Sequence, residues 1–173
     1  MTTIVSLSNV RSARLGLRAS REEEVVLRRA AKVALNDWLL RHAGQAQNSG
    51  SAKTFVVTDG DRVTGYFSLT VGQIDILEAP ERIRQEIGYY PVPVVILARL
   101  AVSTLYQGRV IGLGLLKDAI RRTMMMAEHA GIRAMLTHPI DEAGRFYTRF
   151  GFVSSPLVTS NDCCFFKDAR KWV

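Results

Sequence analysis

Cysteine is nearly absent from this chain. Its two cysteines, Cys163 and Cys164, are neighbours. Adjacent cysteines rarely close a structural bridge, so no disulfide framework is expected and a reducing cytosol suits the protein. They read as two small apolar residues on a strand. Long apolar runs are missing too: nothing approaches the ~18 unbroken apolar residues of a membrane helix. The start, Met1 to Gly16, lacks a long apolar stretch after a basic lead, so no signal peptide is expected. No G-x-x-x-x-G-K-[ST] occurs, which argues against a P-loop. No metal site is expected, and no internal repeat is visible.

What remains is 173 residues, 47% of them apolar and 23% charged. That suits one soluble globular domain with a sizeable core. The net charge of +7 is unevenly spread. Residues 1–34 hold seven Arg or Lys against three Glu; the rest holds sixteen basic and thirteen acidic residues. A basic protein attracts polyanions. More than half of that attraction sits before residue 35, which marks residues 1–34 as a different kind of segment from residues 35–173.

Along the chain, Ser12–Arg18 alternates Leu15 and Leu17 against Arg14 and Arg18, the pattern of a half-exposed strand. Ser20 opens a capping box with Glu23, followed by helical spacing. Leu35 to Ala43 continues as helix, and Gly44–Ala52 reads as a loop. Lys53–Ile74 reads as a hairpin turning at Asp59-Gly60-Asp61. Val94–Val102 is an apolar run long enough for a central strand. A helix follows, with Leu115, Leu116, Ala119, Ile120, Thr123, Met124 and Ala127 on one face and Gly131 as its expected left-handed stop. The three consecutive methionines from Met124 read as core filling, with one exposed. Then come a strand around Ala134–Thr137, a short helix stopped by Gly151 and a last strand at the cysteines. The order predicts a mixed α/β protein of α+β type, with a mixed twisted central sheet flanked by helices.

Between the long strand and its helix lies a loop with Gly108, Gly112 and Gly114. Unpaired amides and the helix dipole suit a phosphate or pyrophosphate there. The order G-x-x-x-G-x-G is not the dinucleotide fingerprint. A strand–helix turn that merely needs glycine stays open beside the binding reading.

The stretch LARLAVSTLYQGRVIGLGLLKDAIRR, Leu97 to Arg122, resembles the acetyl-CoA-binding core of the GCN5-related N-acetyltransferases. There a long strand leads into Q/R-x-x-G-x-G/A and a helix. Two registers fit, Gln107 to Gly112 or Arg109 to Gly114, and the leucine pair after the motif favours the first. In that register Val110 stands where the family has glycine, and a β-branched residue is stiff there. RFYTRFGF, Arg145 to Phe152, resembles the family's late helix, whose tyrosine faces the thioester sulfur. From about Leu35 onward the chain resembles the acetyltransferase toxins of bacterial toxin–antitoxin operons, which acetylate the α-amino group of aminoacyl-tRNA and stop translation. Residues 1–34 instead resemble the start of ribbon-helix-helix antitoxins, so an antitoxin-like head on a toxin body is one reading. An ordinary basic, capped helix is the other.

The resemblance implies acetyl-CoA as cosubstrate. It implies Gln107, Gly108, Arg109, Val110, Gly112, Leu113 and Gly114 at the pyrophosphate, and Leu100, Ala101 and Val102 along the pantetheine arm. Tyr147 is the candidate general acid for the leaving thiolate, with packing as its alternative role. An α-amino group titrates at roughly 7.7–8, so no strong base is required. Arg99, Arg145 and Arg149 are candidates for tRNA phosphate or are simply solvated; His138 is read as structural. Expected partners are aminoacyl-tRNA, a cognate ribbon-helix-helix antitoxin and a second copy of the chain. Operator DNA is reached only through the antitoxin or the head, and no membrane is involved. Two other functions stay open. One is acetylation of a small amine or a protein; the other is a weakened toxin body acting as a regulator.

Overall fold

The computed structural model describes residues 4–9, 34–85, 87–88, 90–139, 143–155 and 165–169. The expected strand at Ser12–Arg18, the capping box at Ser20–Glu23 and the cysteine pair lie outside them. The strands are β1 (Ile4–Ser6), β2 (Lys53–Asp59), β3 (Arg62–Ile74), β4 (Val92–Val102), β5 (Ala134–Thr137), β6 (Val153–Ser154) and β7 (Phe165–Asp168). The helices are α1 (Ala43–Ser49), α2 (Glu81–Arg84), α3 (Ile111–His129) and α4 (Gly144–Thr148). The sheet order is β1-β2-β3-β4-β5-β7-β6. The mixed sheet with helices expected from sequence is therefore present.

Two compact units divide these residues. One holds those up to Leu69 together with Arg99–Asp118; the other holds Thr70–Ala98 and those from Ala119 on.

In the first unit β2 and β3 form the expected antiparallel hairpin, running from Lys53↔Leu69 to Asp59↔Arg62 with a register slip between Val57 and Thr58. β-branched and aromatic residues favour this pleated surface. β1 pairs antiparallel with β2, Ile4 opposite Val57. This strand was not expected, because three residues carry no readable period. Leu39, Ala43, Val56, Val63 and Tyr66 are the buried core, with Trp38 and Ala101 packed against it. Gly65 lets other elements come close: a Cβ there would lie 3.0 Å from both the Ala101 carbonyl oxygen and Leu115 Cδ1.

One expected loop is helix. A π-helical turn at Trp38–His42 runs on into α1, which ends only at Gly50 with φ +77°. Gly44, Asn48 and Ser49 are weak helix formers. Tertiary bonds override them: Gln47 Oε1 accepts from Thr54 N–H at 2.9 Å, and Gln47 Nε2 donates to Ser6 Oγ at 3.2 Å.

In the second unit β4 and β5 pair in parallel, Val94↔Ala134 to Leu97↔Thr137. β7 runs antiparallel to both β5 and β6. The core is Ala79, Ile83, Val92, Val94, Ala134 and Leu136. Buried Arg133 and Asp168 form an ion pair. Breaking such a pair on one side strands a charge in the interior. Along α3, Leu115, Leu116, Ala119 and Thr123 are fully buried and Met125 is 53% exposed, as the helical spacing implied. Gly131 is not its left-handed stop: α3 ends at His129, and among the described glycines only Gly50, Gly60, Gly108 and Gly151 have positive φ.

Candidate active site

β4 ends in Leu100, Ala101 and Val102, and the chain turns through residues 103–110 into α3. Ser103 N–H donates to Thr64 O at 2.8 Å, and Tyr106 N–H to Ser103 O at 2.8 Å. Gln107 Nε2 donates to Val102 O at 3.1 Å, a local tie for a residue assigned to the cofactor loop. Gly108 has φ +78° and Val110 φ +62°; Val110 is the sole non-glycine with positive φ among the described residues. What glycine supplies at position 110 is thus left-handed backbone, and valine adopts it under strain.

The first helical hydrogen bond of α3 runs from Gly114 N–H to Val110 O, 3.0 Å. The amides of Ile111, Gly112 and Leu113 precede it, so they have no acceptor within the helix. They stand at the positive end of a 19-residue helix. A Cβ on Gly112 would meet Val102 Cγ2 at an ordinary 3.6 Å, and one on Gly114 would meet nothing within 4 Å. The buried Ser103 hydroxyl has no hydrogen-bond partner among the described residues. Amides without helical acceptors at the N-terminus of a helix that follows a strand fit a ligand that carries phosphate.

Two side chains to which the sequence reading gave no site role shape this loop. Tyr106 OH donates to Asp59 Oδ2 at 2.8 Å, and Arg109 lies over the Tyr106 ring at 5.2 Å. The bond to Asp59 is the first cause holding the Tyr106 phenol above its ordinary pKa. No sequence signal links positions 47 residues apart. Arg99 lies over Trp38 at 4.2 Å, and Trp38 stacks on Tyr66 with rings 6.1 Å apart. Burial lowers the Arg99 pKa and pushes the Tyr66 phenol well up.

Tyr147, Arg145, Arg149 and His138 belong to the second unit. Tyr147 is 6% exposed, on α4, with Phe146 and Phe152 edge-on to its ring at 5.3 and 5.5 Å. Burial raises its pKa, and a hydrogen bond with Thr137 pulls the other way. Thr137, which sequence reasoning passed over, donates from Oγ1 to Leu97 O at 3.1 Å. Arg145, Arg149 and His138 are exposed. Among the described residues no group of three or more His, Cys, Asp or Glu is placed to hold a metal.

No family model matches the chain. A curated protein of Mycobacterium tuberculosis, described as a tRNA-acetylating toxin, is 37% identical over 154 residues, 88% of this chain and 92% of that protein. Among solved structures, AtaT complexed with acetyl-methionyl-tRNAfMet is 24% identical with a TM-score of 0.78, over 98% of this chain and 96% of that one. AtaTR bound with AcCoA is 26% identical with a TM-score of 0.74, over 99% and 95%.

Proposed function

This chain belongs to the tRNA-acetylating toxins, and on that premise we propose that it moves the acetyl group of acetyl-CoA onto the α-amino group of aminoacyl-tRNA and so blocks translation. It is an N-acetyltransferase, with acetyl-CoA as its cosubstrate. The observation that carries this reading is the turn from β4 into α3, which keeps the left-handed backbone of a pyrophosphate loop even at Val110 and leaves three amides without helical acceptors.

The amides of residues 108–113, with the side chains of Gln107 and Arg109, hold the pyrophosphate; the amide of Gly114 is spent on Val110 O, so Gly114 serves only as a small residue there. Leu100–Val102 pairs with the pantetheine arm, and a backbone N–H there polarises the thioester carbonyl. The neutral α-amine forms the new C–N bond, the C–S bond breaks, and the amine gives up a proton to solvent water, from which Tyr147 is later reprotonated. Tyr147 supplies a proton to the departing thiolate. Burial keeps its phenol protonated at neutral pH, which an acid requires. Arg99, Arg145 and Arg149 are positive groups for tRNA phosphate, in a chain whose net charge of +7 suits that polyanion.

A cognate ribbon-helix-helix antitoxin and a second copy of the chain complete the partners, with operator DNA reached through the antitoxin or through residues 1–34. The sequence of Ser12–Ala34 supports this part. The cytoplasm, where charged tRNA is used, is the proposed compartment. No helix among the described residues is long and apolar enough to cross a membrane.

Incubation with labelled acetyl-CoA and total charged tRNA tests the reading. Label is expected on the amino acid of aminoacyl-tRNA. Label that reaches only protein or small amines would move the activity to another acceptor.

A further inference from the structure

The loop that enters α3 has little burial to hold it. Thr104, Leu105, Gln107, Gly108, Arg109 and Val110 are all exposed. Yet it keeps two left-handed residues, one of them a valine. A β-branched residue left free moves out of that region. Among the described residues, two hydrogen bonds tie residues 103–110 to the β2–β3 hairpin. Ser103 N–H to Thr64 O, 2.8 Å, secures the start. Tyr106 OH to Asp59 Oδ2, 2.8 Å, secures the middle at the last residue of β2. Arg109 then lies over the secured ring at 5.2 Å, directly before Val110. A hydroxyl donating to a carboxylate is among the stronger hydrogen bonds available to an exposed segment.

We propose that Asp59 and Tyr106 are a positioning pair that braces the loop in its anion-binding shape and offsets the strain of Val110, with Arg109 stacked on the braced ring. This rests on the reading of that loop as the acetyl-CoA site. Neither residue is assigned a contact with the cosubstrate or the reacting atoms; both act through the backbone they hold. The brace explains how a chain without glycine at position 110 keeps a glycine-shaped loop. It also makes the two features interdependent: the more strained residue 110 is, the more the loop needs the tie.

Calorimetric titration of acetyl-CoA into the full-length protein tests this, alongside turnover at saturating acetyl-CoA and the melting midpoint. Tyr106→Phe keeps the ring under Arg109 and removes only the hydroxyl. Affinity is expected to fall roughly 5- to 10-fold, the net scale of one ordinary hydrogen bond, as suits an exposed pair. Saturated turnover and the melting midpoint are expected to stay unchanged. Asp59→Ala should match it, and the double variant should be no worse than either, because one bond is lost in all three. In a Val110→Gly background, Tyr106→Phe should cost less than about twofold, since the strain being braced is gone. Wild-type affinity in Tyr106→Phe, or an equal loss in both backgrounds, would overturn the brace. So would a loss confined to saturated turnover, which would put the pair in the chemistry. Failure of the wild-type protein itself to bind acetyl-CoA would instead remove the cosubstrate reading, and the brace with it.

Discussion

Val110 holds φ +62°, a backbone conformation that suits glycine, so the folded protein carries its strain. An L-residue in the left-handed region costs about 1–2 kcal/mol. Val110→Gly is therefore expected to raise the melting temperature by roughly 3–6 °C in a chain of this size. Acetyl-CoA affinity should rise at the same time, since glycine takes this backbone without strain. An unchanged melting curve would show that the valine is not strained. The sequence marked this position through the missing glycine but put the cost in the side chain; the structure puts it in the backbone. Tyr147 is the proposed acid, on the resemblance of RFYTRFGF to the family's late helix. Tyr147→Phe is expected to cut turnover by ~10²–10⁴, the usual worth of a positioned acid, with acetyl-CoA affinity unchanged. Full activity, measured where chemistry limits the rate, would leave Tyr147 with a packing role. Buried Tyr66 and Tyr147 both hold their protons more tightly than in the unfolded chain. Stability is then complete below the unfolded phenol pKa of about 10 and declines as pH rises past it, because only the unfolded chain ionises there. Urea midpoints from pH 8 to 11 should show that decline, and Tyr66→Phe should shrink it.

Among the elements, those with long periods were readable. The apolar run of β4, the hairpin and the buried face of α3 announce themselves by repetition. β1 and β6 do not, since three and two residues are strands only by virtue of their partners. α1 was misread because Gly44, Asn48 and Ser49 favour a loop locally, while Gln47 is bonded to two strands. The Asp59–Tyr106 bond joins a turn to a distant loop and leaves no trace in either segment. Gly65 is the element-level point of control. Its missing Cβ leaves room for the Ala101 carbonyl and for Leu115 at once. Gly65→Ala is expected to destabilise the protein by about 1–3 kcal/mol, as overpacking does. By displacing Ala101, on the proposed pantetheine stretch, it should also weaken acetyl-CoA binding. Denaturant midpoints and a titration check the two effects; a stable variant with normal affinity would show that β3 simply moves aside.

For the whole molecule, the uneven charge is the main clue that sequence offers about assembly. Leu15 and Leu17 alternate with Arg14 and Arg18 in the most basic part of the chain. If that stretch pairs with a second copy or an antitoxin, Leu15→Asp with Leu17→Asp should leave a folded protein that scatters light as a smaller species. An unchanged mass would remove the segment from assembly. The relative from Mycobacterium tuberculosis matches 88% of the chain, more than residues 35–173 contain, so the match reaches into the first 34 residues. Among the described strands, β7 follows β5 and β6 in the chain but lies between them in the sheet. On a ribosome, β5 and β6 wait for residues 165–168 before either gains that neighbour. A chain cut before Phe165 therefore cannot complete the sheet around β5 and β6 and is expected to leave cell-free translation running; arrest by the truncated chain would show that β7 is dispensable.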